Sequence, residues 1–250
     1  MMHQVEQIMG TAISLDIADP LSPARLGELA AAAFAGLRAV DDRFSTYKDG
    51  SEVNRLQRGE ITLAECSADL RHVLDECSRL WRTTDGYFDA YATGRLDPSG
   101  YVKGWSVQVV SDALAAGGAL NHCLNAGGDI CVRGGPEPGA KWRVGIRHPW
   151  EPMKVAWVLE VTDVAVATSG TYERGMHVVD PFTGRGAGEL VSVTVVGPDL
   201  ALADAYATTA TAMGRSGLAW LAALAGYESA AVTQDGEAFT SAGWPVAAPS

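Results

Sequence analysis

The sequence predicts an α+β fold in which mixed or antiparallel sheets pack against helices. Apolar residues recur at helical spacing mainly in the first half of the chain, whereas β-branched residues alternate with polar ones in the second half. The strands come in runs with helices between the runs, which favours α+β over a doubly wound sheet. No GxGxxG segment follows a strand and opens a helix, so the sequence does not indicate a Rossmann fold.

The first half contains one predicted strand and three predicted helices. Residues 11–17, "TAISLDI", alternate as a half-buried strand does. A helix is predicted from Ser22 to residue 47, with Ser22 as its N-cap and Pro23 at its first position. Residues 68–82 carry one apolar stripe and predict a second helix. "GYVKGWSVQVVSDALAAGG" predicts a turn followed by a helix that ends at Gly117.

The second half is rich in predicted strands. "HCLNAGGDICVRGG", "KWRVGIRHP", "AWVLEVTDVAVATSG" and "GELVSVTVVGP" combine β-branched alternation with bounding Gly, Pro and Asp. "LADAYATTATAMGRSG" and "SGLAWLAALAG" predict two helices. A last pair of strands is expected to turn at Asp235 and Gly236.

Composition excludes several functional classes. The formal net charge is −11 and no Lys/Arg cluster is present, so a nucleic-acid partner is not expected. The first residues lack the basic and apolar regions of a signal peptide, and no window approaches about 20 apolar residues. We therefore expect no membrane insertion, a cytoplasmic location and a single domain over residues 1–250. The four cysteines lack CxxC spacing and are expected to be reduced thiols.

The segment "ADAYATT" places two oxygen-bearing side chains four residues apart. On a helix, Asp204 and Thr208 project from one face, separated by one turn of about 5.4 Å. Mg²⁺ takes oxygen ligands of this kind, often together with a substrate phosphate. The alternative is structural: the Asp interacts with the helix dipole and the Thr bonds back to a carbonyl.

Two glycine-containing segments are further candidates for ligand binding. In "LNAGGDICVRG", Gly127 and Gly128 permit positive φ or close approach of a ligand, and Asp129 follows at once. A glycine bulge in a strand is the alternative. "DPSGYVKG" predicts a turn whose Lys103 could bind a phosphate as a point charge. A surface turn with a solvated lysine is the alternative there.

A possible proton acceptor occurs in "GMHVVDPFTGRG", residues 175–186. His177 has an unperturbed pKa near about 6.5, so it can act as a base near neutral pH. The alternative is a strand leading into a tight turn, with the histidine hydrogen-bonded as a structural residue. The other histidines show no HxxxH or HExxH spacing, so a zinc site is not expected.

Together and in order, these segments resemble the FAD:protein FMN transferase (ApbE) family. The resemblance rests on "MGT", which looks like the opening strand, and on "FSTYKDGSEVNRLQRG", "TDGYFDAY", "DPSGYVKGWSVQ", "NAGGD", "TSGTYERGMHVVDPFTG" and "VSVTVVGPDLALADAYATT". Two departures stand out. First, only "AYATGRL" joins "TDGYFDAY" to "DPSGYVKGWSVQ", whereas family members carry a long connection there. Second, Thr171 stands where the family usually has an aspartate.

The resemblance implies an ApbE-like fold with an FAD site between the two sequence halves. It implies that Mg²⁺ is held by the Asp204 and Thr208 side chains and by the carbonyl of Gly100. The residues expected to bind FAD are Met9 and Tyr47 at the flavin or adenine, Tyr87, Phe88 and Asp89 along the groove, Lys103 near the phosphates, and Val179 through its backbone. Asp129 is added to them because it lies beside the two glycines.

The implied activity is Mg²⁺-dependent transfer of FMN from FAD to a threonine hydroxyl of a target protein, with release of AMP. His177 is then the general base, and Asp180 orients it or holds the turn closed. Two other functions remain open. One is an FAD pyrophosphatase that releases FMN and AMP, and the other is an FAD-binding protein without catalysis.

Overall fold

The computed structural model describes residues 1–170 and 178–247. The strands of this part are β1 (Met2–Ile8), β2 (Thr11–Ile17), β3 (His122–Ala126), β4 (Asp129–Arg133), β5 (Trp142–Arg147), β6 (Val155–Val161), β7 (Val164–Gly170), β8 (Leu190–Gly197), β9 (Glu228–Thr233) and β10 (Ala238–Thr240). The helices are α1 (Pro23–Phe44), α2 (Glu52–Gln57), α3 (Ala68–Thr83), α4 (Ser99–Ala116), α5 (Leu200–Met213) and α6 (Ser216–Ala222), with a 3₁₀ turn at Leu63–Glu65.

One sheet organises the molecule. Its order is β1-β2-β3-β4-β7-β8-β9-β10, and each neighbouring pair among the described strands is antiparallel. The hairpin β5–β6 interrupts the chain between β4 and β7 and forms a separate antiparallel pair. The predicted α+β class is confirmed, and the sheets of the described part are antiparallel rather than mixed.

Three apolar clusters define the layers. The largest lies between one face of the sheet and helices α1, α4 and α5, and contains Ile13, Phe34 and Val193. The opposite face of the sheet is covered by the β5–β6 hairpin. A further cluster joins α2 and α3 to the outer sides of α4 and α5. Helices α4 and α5 are therefore packed on two sides, which fixes the residues that they carry.

The N-cap serine and the proline predicted at the start of the first helix are both present in α1. The Ser22 hydroxyl accepts a hydrogen bond from the Arg25 N–H at 3.3 Å, and Pro23 is the first residue of α1. The missing N–H of proline costs nothing at this position because that group has no partner inside the helix. Helix α1 ends at Phe44, three residues before the predicted end.

Two hairpin turns differ from the sequence-based predictions. Met9 and Gly10 form a two-residue turn between β1 and β2, so only Thr11 of "MGT" belongs to a strand, and strand β1 before it was missed. Gly127 and Gly128 connect β3 to β4, with φ values of 60° and 95°. The two glycines therefore have the positive φ that the sequence permitted, as in a type I′ turn, and the alternative of a bulge is wrong. The two turns lie together: a Cβ on Gly127 would meet the Thr11 hydroxyl at 2.6 Å.

A fully buried histidine, His122, begins β3 and contacts α4. His122 Nδ1 lies 2.8 Å from the Ala119 carbonyl oxygen, and the Ser111 hydroxyl lies 2.7 Å from Nε2. Because a carbonyl can only accept, Nδ1 carries the proton and Nε2 accepts from Ser111. Burial lowers the pKa of His122, and the nearby charge of Arg133 lowers it further. The folded state therefore holds His122 neutral near pH 7.

We predict that acid destabilises the fold through His122. Below pH about 6.5 the unfolded chain binds a proton that folded His122 does not, so the free energy of unfolding decreases as the pH falls. The decrease is at most about 1.4 kcal/mol per pH unit for this one group. Urea denaturation at pH 7.5 and 5.5 measures it. His122→Gln should reduce the pH dependence, whereas His72→Gln, at an exposed position, should leave it unchanged. Equal pH dependence in all three proteins would contradict the assignment.

Candidate functional site

Helices α4 and α5 cross at a point where α4 has no side chain. A Cβ on Gly104 would lie 2.4 Å from the Leu200 carbonyl oxygen and 2.8 Å from Asp204 Cβ. A Cβ on Gly100, one turn earlier, would lie 3.4 Å from Thr208 Oγ1. These two glycines therefore let the backbone of α4 approach the face of α5 that carries the oxygen ligands predicted from the sequence.

The α5 side of this crossing presents a buried carboxylate. Asp204 is 2% exposed, and its Oδ2 accepts a hydrogen bond from the Gly104 N–H at 3.0 Å. Burial raises the pKa of Asp204 well above its usual value, and the neighbouring Asp129 carboxylate raises it further. Thr208 follows one turn later, with Oγ1 3.3 Å from the Ser169 hydroxyl. The predicted common face of Asp204 and Thr208 is present, with Thr208 facing Gly100 across the crossing.

The "DPSGYVKG" segment is the start of a helix and not a turn. Helix α4 begins at Ser99, and its N-cap residue, Pro98, makes no side-chain capping hydrogen bond. The Asp97 carboxylate accepts a hydrogen bond from the Ser99 N–H at 3.0 Å. The N-terminal end of an α-helix carries a partial positive charge and favours phosphate. The N-terminus of α4 therefore adds a partial positive charge near Lys103, the residue predicted to bind a phosphate. The sequence analysis did not include this contribution.

Lys103 is paired and is not a solvated surface lysine. Its Nζ lies 2.7 Å from Asp129 Oδ2, and Asp129 is 0% exposed. The contact is therefore a short ion pair between an ammonium group and a fully buried carboxylate. Asp129 is not among the described residues that line the two pockets described next, and its contact with FAD stays a prediction.

Two adjoining pockets meet at the start of α4. The carboxylate pocket is lined by Gly100, Asp204 and Thr208 together with Tyr87–Ala90, Thr168–Gly170 and residues 178–179, among others. The hairpin pocket is lined by Met9–Gly10, Val40–Asp41, Phe44–Lys48 and Val102, among others. Three residues line both pockets: Asp97, Ser99 and Lys103. The result is a continuous groove with a lysine and a helix N-terminus at its middle.

The structure brings most predicted ligand residues to this groove. Tyr87, Phe88, Asp89 and Val179 line the carboxylate pocket, and Met9 lies in the hairpin pocket. Tyr47 also lines the hairpin pocket, with 96% of its side chain exposed. Residues from both halves of the sequence therefore form the walls.

Sequence reasoning missed Asp97 as a groove residue. Asp97 lies where the two pockets meet, three residues before Gly100 and six before Lys103. Its position on the turn preceding a helix was the available signal, because Asp and Ser side chains at such positions hold helix N-termini. The same position turns its carboxylate toward the groove.

The segment after the predicted base forms a tight, hydrogen-bonded turn. The Asp180 carboxylate accepts from the Phe182 N–H at 2.9 Å and from the Thr183 hydroxyl at 2.7 Å. These bonds, Thr183 first, lower the pKa of Asp180. Asp180 therefore holds the turn closed, which is one of the two roles expected of it. His177 and Thr171 lie outside the described residues.

The residues at the crossing fit a magnesium ion. Among the described residues, no group of three His, Cys, Asp or Glu side chains forms a metal cluster. Mg²⁺ does not require one, because it binds through one or two carboxylates with hydroxyl or carbonyl oxygens and substrate phosphates. Asp204 and Thr208 supply the carboxylate and the hydroxyl, with Gly100 adjacent. The two buried carboxyl groups of Asp129 and Asp204, with the ammonium of Lys103 beside them in the described part of the chain, also favour an added cation.

An antiparallel sheet with crossed helices and a two-part groove at the start of α4 defines an α+β protein with a candidate ligand site between its sequence halves. The ApbE family model matches residues 9–94 and 90–231. The chain belongs to the ApbE family.

Relatives with named activities match parts of the chain. The FAD:protein FMN transferase of Vibrio cholerae is 37% identical over 129 residues, which covers 48% of this chain and 39% of that protein. That of Rhodobacter capsulatus is 36% identical over 156 residues, covering 58% and 29%. The chain thus spans about a third of the length of these two relatives. The Haemophilus influenzae transferase is 26% identical, and the match covers 71% of this chain and 70% of that one.

Solved structures agree with the fold. The flavin transferase ApbE from Vibrio cholerae superposes with a TM-score of 0.81 at 26% identity, covering 96% of this chain and 97% of that one. The ApbE protein from Thermotoga maritima gives a TM-score of 0.87 at 19% identity, covering 97% of each chain, which supports the fold alone. The predicted ApbE-like fold is confirmed. No helix in the described part of the chain has the length and apolar character needed to cross a bilayer.

We predict that Gly104→Ala damages the groove. The added methyl group would overlap the Leu200 carbonyl, which is backbone and cannot move aside, so α4 and α5 must separate. Overpacking of this kind costs about 1–3 kcal/mol of stability. Thermal or urea denaturation measures the loss.

Gly27→Ala is the matched control, because Gly27 lies inside α1 and a Cβ there meets nothing within 4 Å. Alanine is the better helix former, so this variant should be as stable as the wild type or up to about 1 kcal/mol more stable. Equal stability of Gly104→Ala and Gly27→Ala would contradict the predicted loss of folding stability from a side chain at position 104.

Proposed function

We propose that this protein transfers the FMN part of FAD to a hydroxyl group of a target protein. The groove is the observation that carries the proposal: two pockets suit the two ring systems of a dinucleotide, and their junction holds Lys103 and the N-terminus of α4. Relatives named FAD:protein FMN transferase support the same activity. The diphosphate of FAD would lie at the junction.

In the finer form of the proposal the acceptor is a threonine and the reaction requires Mg²⁺. The threonine oxygen attacks the phosphorus on the FMN side, and the bond from that phosphorus to the bridging oxygen breaks. AMP leaves with the bridging oxygen, and the hydroxyl proton passes to a base. Mg²⁺ bound at Asp204, Thr208 and the Gly100 carbonyl would neutralise charge on the diphosphate.

The residues of the chain have distinct tasks in this reaction. Lys103 and the N-terminal end of α4 bind the diphosphate, since both carry positive charge at the junction. The Asp180 turn places Val178 and Val179 against the carboxylate pocket. Tyr87 contacts Phe182 edge to face, with ring centroids 4.8 Å apart, which ties the "TDGYFDAY" segment to that turn. We propose His177, at the start of the same segment, as the base.

The direct test uses FAD, Mg²⁺ and a candidate flavoprotein domain. Transfer is expected to give flavin fluorescence that stays with the domain during denaturing electrophoresis. Free FMN formed without any acceptor would indicate the pyrophosphatase instead. Retention of FAD with neither product would indicate a binding protein, and absence of FAD binding would overturn the proposal. If the His177→Ala variant transferred FMN at an undiminished rate, His177 would be excluded as the base.

Asp204→Asn separates catalysis from folding. The amide oxygen can still accept the Gly104 N–H, but the charge that holds a cation is lost, so Mg²⁺-dependent turnover should fall by about 100-fold or more. Stability in EDTA should be unchanged or higher, because a buried, repelled carboxylate is removed. Asp112→Asn, at an exposed position on the same helix as Gly104, is the control and should retain turnover. Normal Mg²⁺ dependence in Asp204→Asn would refute the ligand assignment.

A further inference from the structure

Strand β1 lies at one edge of the eight-stranded sheet, and its outer side is open. It pairs with β2 in a continuous antiparallel register over all seven of its residues. In the described part of the chain, no other strand or backbone group pairs with it. A row of unpaired backbone N–H and C=O groups is a template for pairing with another chain. The open side of β1 is therefore a candidate interaction surface.

Strand β1 has few of the features that protect an edge strand from association. Natural edges are commonly blocked by short strands, prolines, lysines or bulges. At the other edge of the sheet, β10 has only three residues, Ala238–Thr240. Strand β1 has seven residues, with neither proline nor lysine among them, and it keeps one register against β2. Its one carboxylate, on Glu6, forms an ion pair with Arg38 of α1, so its charge is already partly balanced.

The turn after β1 determines which of its backbone groups point outward. Met9 and Gly10 have φ values of 55° and 73°, as in a type I′ turn. A turn of this kind is closed by a hydrogen bond between its flanking residues, here Ile8 and Thr11. Along an antiparallel strand, residues alternate between bonding to one neighbour and bonding to the other side. Ile8 and every second residue before it therefore bond to β2. The outward N–H and C=O groups belong to His3, Val5 and Gln7.

We propose that β1 pairs with β1 of a second copy of this chain, antiparallel and about a two-fold axis at Val5. Val5 then lies opposite Val5 of the second copy, and His3 lies opposite Gln7. Each of these facing pairs exchanges both of its backbone hydrogen bonds, because these are the residues whose groups point outward. The two sheets become one continuous sheet, and the contact is closed by its symmetry. This association is independent of the proposed transfer of FMN.

The side chains of β1 complement one another in this register. Met2 faces Ile8 of the second copy, so apolar side chains meet. Gln4 faces Glu6, so an amide can donate to a carboxylate. Val5, whose side chain is 50% exposed in the single chain, faces its own counterpart. The next register in one direction would set Glu6 against Glu6, and like charges directly opposite are destabilising. The next register in the other direction would set Met2 against Glu6. The pairing centred on Val5 is therefore favoured.

The test measures the association state of the protein in solution. Sedimentation velocity is recorded over a range of concentrations, with any affinity tag at the C-terminus and away from β1. We expect a monomer–dimer equilibrium with a dissociation constant of about 1–100 µM, because a single strand pair buries less area than a standard interface.

Substitutions at Val5 test the position of the two-fold axis. Val5→Lys and Val5→Glu each place like charges opposite each other, so each variant alone should dimerise at least about tenfold more weakly than the wild type. An equimolar mixture of the two should recover a dimer, because a positive charge then faces a negative one. Phe239→Lys is the matched control, since it changes an exposed apolar residue on the other edge strand and should leave the dimer unchanged.

Three results would overturn the proposal. The first is a wild type that stays monomeric at about 200 µM, above the expected dissociation constant. The second is a dimer that Val5→Lys and Val5→Glu leave intact, because such a dimer must use another surface. The third is failure of the mixed variants to associate while each keeps the melting temperature of the wild type, because residue 5 then does not face residue 5. Loss of FMN transfer is measured separately and does not bear on the dimer.

Discussion

The close crossing of α4 and α5 is the constraint on which the site depends. Because Gly104 has no side chain, its N–H reaches the Asp204 carboxylate and gives that buried group one of the hydrogen bonds it needs. The same crossing brings Gly100 against Thr208. Two apolar clusters hold the helices from opposite sides, so the crossing is fixed by packing and does not rely on the polar contacts that it creates.

The acidic character of the chain sets the conditions for binding a phosphate. A net charge of −11 produces a field that repels anions, although at physiological salt it is screened beyond about 8 Å. Attraction must therefore be local. Helix α4 directs its N-terminus at the junction of the two pockets, and Lys103 lies one turn further along. Under the proposed function, such a groove would favour a substrate that arrives with a cation over a free anion.

The sequence predicted what depends on local pattern. The common face of Asp204 and Thr208 follows from helical geometry alone, and the strands followed from their alternation. The pairing of strands and the packing of helices on the sheet could not be predicted from local pattern. Gly127 and Gly128 read equally well as a bulge, because the register of β3 with β4 decides between the two. The burial of Asp129 could not be predicted because it depends on how α4 lies on the sheet. The start of α4 was missed because "DPSG" consists of turn-forming residues, although the helix begins within it.

The turn at Asp180 shows how a rigid segment can limit the chemistry available beside it. Both carboxylate oxygens of Asp180 accept hydrogen bonds within the turn, one from the Phe182 N–H and one from Thr183. A carboxylate used in this way is committed to the backbone geometry of the turn, although each oxygen keeps a second lone pair that can accept a further hydrogen bond. The turn therefore fixes where residues 178–179 enter the groove, and this holds whichever base takes part in the reaction.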